Sequence, residues 1–139
     1  MDGLHASLIA GAVGALAGVF AGGLALLGTD LSGASQPGDP IAPLDRRLAV
    51  GAFLLSSHAI AAAALWQLPQ VGSCIAAGLG AGWMGTAAAG LVGMLSSPDR
   101  LGQRFAHIAT RVLVGIALLA PLWAYMRLMQ MQAMGTLHA

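Results

Sequence analysis

Four apolar stretches, at about 7–28, 48–66, 71–95 and 105–125, each approach the ~20 residues that a helix needs to cross ~30 Å of hydrocarbon. No other feature restricts the fold so strongly. The stretches use up most of the 139 residues, so one four-span transmembrane domain over 1–139 is expected, with no separate soluble domain. The expected fold is all-α: an integral membrane protein with four transmembrane helices arranged as two hairpins. Composition agrees, since 58% of residues are hydrophobic and 8% charged, where soluble domains carry roughly 25% charged residues.

The first stretch could be mistaken for a secretory signal, but Met1 to Ser7 carries Asp2 and no basic residue, and the apolar run exceeds the usual ~7–15 residues. It reads as a retained first span. All six basic residues are Arg, and Ala, Gly and Arg usage of this kind suggests a GC-rich bacterial genome, hence a multi-pass protein of the bacterial inner membrane. A net charge of +1 is too small to suggest nucleic acid as a partner. The single Cys74 excludes an internal disulfide and a cysteine-based metal site within one chain; it reads as a small apolar residue.

Arginine placement sets the expected orientation. Arg46, Arg47, Arg100 and Arg104 fall in or beside the two longer loops, whereas the turn Gln67-Leu68-Pro69-Gln70 is uncharged. Positive-inside puts those loops in the cytoplasm and both termini on the outer, periplasmic side, where Trp66, Trp123 and Tyr125 form an aromatic belt. The stretch from Thr29 to Arg47 is dense in Gly and Pro and reads as a linker, with Asp45 expected to cap the second span. Pro43-Leu44-Asp45-Arg46 is echoed by Pro98-Asp99-Arg100, as in a parallel internal repeat. Pro121 is expected to bend span four or loosen its last turns.

Small residues mark the expected helix contacts. Gly14, Gly18 and Gly22 recur at i+4 in span one, a glycine-zipper pattern that strips one face and lets another backbone approach. Span three repeats the pattern on two adjacent stripes, Gly78-Gly82-Thr86-Gly90 and Ala81-Gly85-Ala89-Gly93, so Gly78, Gly82 and Gly85 are expected to pack against close neighbours.

Two features carry chemistry. His58 lies about ten residues into span two, near the bilayer centre, where an ionisable group is a functional candidate. It reads first as a neutral imidazole bonded to a serine or a backbone carbonyl, and second as a cofactor ligand. Arg100, Arg104, His107 and Arg111 are spaced i, i+4, i+7, i+11 and stack on one face at the entrance of span four. That stripe is the candidate contact for an anionic phospholipid or an acidic partner residue, because no span supplies a carboxylate.

Other chemistries find less support. A haem b held by His58 and His107 meets a depth mismatch of roughly 12 Å at 1.5 Å per residue, although two copies of His58 in a dimer would lie level. Met126, Met129, Met131, Met134 and His138 offer soft ligands for copper, but methionine is also a common helix filler. A transporter usually shows intramembrane charge pairs, and none is present. The five Asp residues lie in loops or near the N-terminus, so no catalytic constellation can be drawn and no enzyme, cofactor or metal site is expected. The chain reads as a structural or accessory subunit of a larger respiratory or photosynthetic membrane complex, with other membrane-protein subunits and anionic lipid as partners. The alternative is a haem- or quinone-proximal anchor of a redox enzyme, and less so a small transporter or channel component.

Overall fold

The structure is a computed structural model; it describes residues 2–27, 44–96 and 101–136, with side-chain environments for 3–27, 48–94 and 105–134. Its described residues form four helices: α1 (Asp2–Leu26), α2 (Leu44–Gln67), α3 (Pro69–Ser96) and α4 (Leu101–Thr136). Each contains a segment long and apolar enough to cross a membrane: Gly3–Leu26, Leu48–Gln67, Pro69–Met94 and Phe105–Met134. This is a multi-pass membrane architecture.

The helix bounds depart from expectation at two places. Helix α2 begins at Leu44, so the end of the expected linker is helical and Asp45 falls inside the first turn instead of capping it. Helix α4 runs unbroken through Pro121 for 36 residues, about 54 Å at 1.5 Å per residue, where the span was expected to loosen near residue 125. Pro121 is fully buried, and its ring lies against Gly11 of α1, a position with no side chain to oppose it. Most of the residues beyond it are Leu, Met, Gln, Arg and Ala, good helix formers. The rest of the expected linker, 28–43, and the turn at 97–100 lie outside the described residues.

Helix α1 packs on α2 and α4, and α3 packs on the same two helices; α1 and α3 meet only weakly across the bundle. The register is antiparallel throughout. Gly11 lies against Leu65, Gly18 against His58 and Gly22 against Leu55, while Gly80 lies against Gly115 and Gly90 against Ile108. The shortest connection is at Leu68, where Leu68 N–H donates to Ala64 and Gly72 N–H donates to the Leu68 carbonyl, so α2 turns into α3 almost without a loop.

Every helix contributes to the core: Ala15 from α1, Ala61 and Leu65 from α2, Ala76 from α3 and Leu118 from α4. Alanines on three helices leave an axial gap that Leu118 fills, with Trp83, Val114 and Leu8 around it. In lipid no hydrophobic driving force joins helices, so such close van der Waals contact carries the association. Two crossings approach backbone to backbone. A Cβ at Gly22 would lie 2.8 Å from the Gly51 carbonyl oxygen, and one at Gly80 would lie 2.8 Å from that of Gly115.

Candidate functional site

His58 sits in the middle of α2 with 1% of its surface exposed. Its Nδ1 lies 2.8 Å from the carbonyl oxygen of Leu54, one turn back, and 3.3 Å from the Ser57 hydroxyl. On the other side of the ring, the indole Nε1–H of Trp83 donates to His58 Nε2 at 2.9 Å. An indole can only donate and a carbonyl can only accept, so the proton is on Nδ1 and the imidazole is neutral. The two rings meet edge to face, 6.0 Å between centroids at 75°.

The site is a three-helix lock. Helix α1 contributes a vacancy: a Cβ at Gly18 would fall inside the imidazole, overlapping Cδ2, Cγ and Nε2. Glycine at 18 is therefore the hole into which His58 fits. Trp83 packs against the core and is also the donor that holds His58 from α3. No buried side-chain nitrogen or oxygen among the described residues lacks a hydrogen-bond partner. For His58 to become an axial ligand, Nε2 would have to give up the indole and the ring would have to leave the Gly18 hole.

The expected glycine contacts divide. Gly14 lies against Ala117 and Leu118 of α4, Gly18 against His58, and Gly22 against the α2 backbone. In α3, by contrast, a Cβ at Gly78, Gly82 or Gly85 would meet nothing within 4 Å. The expectation of close neighbours at these three positions does not hold within this chain. Helix α3 instead turns Gly72, Ser73, Ala76, Ala77, Gly80 and Ala87 inward. This is also a small-residue stripe at helical spacing; because small residues surround α3, hydropathy offers no contrast to tell its inner face from its outer one. Ser73 satisfies itself on the way in, its Oγ donating to the Pro69 carbonyl at 2.6 Å.

At the opposite end from the Leu68 turn, Arg111 is half-buried and its Nη1 donates to the Thr86 carbonyl of α3 at 3.3 Å. His107, one turn earlier, is also half-buried. Arg100 lies outside the described residues and Arg104 outside the described side chains, so the four-residue stripe is seen at its inner half. Near the far end of α4, Arg127 stacks its guanidinium 4.2 Å above the centroid of Trp123, a cation–π pair within one turn.

A shallow cleft of about 390 Å³ opens between the start of α3 and the last third of α4, lined by Gln70, Ser73, Cys74, Leu122, Tyr125, Met126, Met129 and Gln130. It was not legible in the sequence, because its two walls are some fifty residues apart. Among the described residues no group of three or more His, Cys, Asp or Glu could hold a metal ion. The chain matches no family model, no curated protein and no solved structure.

Proposed function

We propose that the chain is a structural, accessory subunit of a larger bacterial inner-membrane complex, respiratory or photosynthetic, without catalytic chemistry of its own. One observation carries the reading: the open glycine face of α3. Each glycine in a helix interior is about 1 kcal/mol less favourable than alanine. At Gly14, Gly18, Gly22 and Gly80 that cost is offset by a neighbouring helix in the same chain. At Gly78, Gly82 and Gly85 nothing among the described residues offsets it, and Ala81, Ala88 and Ala89 extend the same exposed, shallow surface. A transmembrane helix of another subunit, approaching closely over this surface, would supply the missing contact.

In this reading the four helices stand as two hairpins with both termini on the periplasmic side, as the arginine distribution favours. His58 and Trp83 serve to fix α2 against α3, not to bind a cofactor. The cationic face of Arg100, Arg104, His107 and Arg111 then meets an anionic partner at the cytoplasmic end. Arg111 supports this, since among the described residues one long bond to a backbone carbonyl engages one of its five donors, and no carboxylate lies in any span. An anionic phospholipid headgroup or an acidic residue of the neighbouring subunit fits.

Mild-detergent purification from native membranes tests the reading. Gly82→Leu should release a co-purifying membrane protein while leaving the chain's own thermal unfolding unchanged, because a Cβ at 82 meets no atom of the described residues within 4 Å and the side chain leaves the bundle from its open face. If Gly82→Leu keeps the same partners as the parent, or if the parent purifies alone, α3 faces lipid and the accessory-subunit reading fails.

A further inference from the structure

We infer that the cleft between α3 and α4 is a soft-metal site, in which the Cys74 thiolate and the thioethers of Met126 and Met129 take a monovalent Cu(I) ion. The inference rests on which sulfurs the fold brings together. The chain holds one Cys and seven Met. The antiparallel register that sets Gly80 against Gly115 also brings the start of α3 level with the part of α4 beyond Pro121. Cys74 and two of the methionines thereby line one cleft, although more than fifty residues separate them in sequence. Met126 and Met129 are i, i+3 neighbours on α4, and both are more than half exposed, so neither thioether is taken up in the helix core.

The donor set selects the metal class. Among the described residues no carboxylate or imidazole lines the cleft, so hard cations and the nitrogen-preferring divalent ions find none of their usual ligands there. One thiolate and two thioethers suit Cu(I). The amides of Gln70 and Gln130 contribute polar groups to the lining, and Tyr125 and Leu122 contribute apolar ones. The methionine-rich tail suggested a different set in the sequence. Met131 and Met134 do not line this cleft, and His138 lies outside the described residues. On binding, the Cys74 thiol forms a sulfur–metal bond and its proton passes to solvent, one proton per ion; the metal arrives and stays as Cu(I), so no electron moves.

The test uses the full chain in detergent, free of any affinity tag, with Ag(I) as a redox-stable stand-in and methionine methyls labelled with carbon-13. One equivalent of Ag(I) should shift the methyl resonances of Met126 and Met129 and leave those of Met84 and Met131 in place. Against a Cu(I) chelator, Cys74→Ser should lose binding, and Met126→Leu/Met129→Leu should weaken it at least about tenfold. All three side chains are exposed, so these variants should unfold like the parent. The proposal is overturned if the two methyls do not move, a result that needs no variant. It is equally overturned if the double methionine variant binds as tightly as the parent, which would leave only an ordinary surface thiol.

Discussion

Adding one carbon at Gly18 should show how far the His58 lock holds the bundle. In Gly18→Ala the new Cβ overlaps three atoms of the imidazole, so the ring must retreat by about 1 Å or more to recover ordinary van der Waals separation. It has nowhere to go, being 1% exposed and held at both nitrogens, at 2.8 Å by Leu54 and at 2.9 Å by Trp83. Overpacking of this kind costs about 1–3 kcal/mol. Loss of the indole bond adds about 0.6 kcal/mol at the average for interhelical hydrogen bonds in membranes and about 1.7 kcal/mol at most. Alanine returns about 1 kcal/mol of helix propensity. The net expectation is a destabilisation of about 1–3 kcal/mol, read from reversible unfolding in mixed detergent micelles by circular dichroism. Gly78→Ala is the control, since its Cβ meets open space, and it should be neutral or slightly stabilising. In Gly18→Ala/His58→Ala the ring is gone, so the double variant should be more stable than the two single effects sum to. Equal stability of Gly18→Ala and Gly78→Ala, or strict additivity in the double variant, would refute the reasoning.

Three further outcomes follow from the same contacts. Trp83→Phe keeps an aromatic ring but removes the donor to Nε2, and should destabilise by about 1–2 kcal/mol in the same unfolding assay, with the loss vanishing in a His58→Ala background. Gly80→Ala sets a methyl 2.8 Å from the Gly115 carbonyl oxygen, a backbone atom that cannot swing aside, and should separate α3 from α4 at a cost of about 1–3 kcal/mol. Arg111→Gln should lose a tightly bound anionic lipid in native mass spectrometry or release the chain from its complex, whereas Arg127→Gln, whose charge already rests on Trp123, should do neither.

How much of this was legible in the sequence depends on the kind of signal each residue leaves. The spans were legible because length and hydropathy survive averaging over twenty residues. His58 was legible as a mid-helix imidazole because its place along the span follows from residue number and helix rise alone. Its partner was not, since Trp83 lies on another helix and a large aromatic in a span is equally at home as a wedge. Span one was read at the right face because Gly14, Gly18 and Gly22 stand among large residues such as Val13, Leu16 and Phe20, which the structure leaves exposed. Helix α3 offers no such contrast, so Gly78, Gly82 and Gly85 lie on the open side while Gly72, Gly80 and Gly90 make the contacts. That the helix continues past Pro121 was not legible for a related reason: the opposing position with room for the ring, Gly11, is more than a hundred residues away.

The most direct measurement is photo-cross-linking in native membranes, with a photoreactive side chain placed in turn at Gly78, Gly82 and Gly85 on the open face of α3 and at Leu113 and Ile116 on the exposed face of α4. A subunit that docks on the glycine face predicts one discrete protein adduct, of the same mass from all three α3 positions and absent from both α4 positions. Lipid adducts alone at 78, 82 and 85, or the same adducts from both helices, would contradict it.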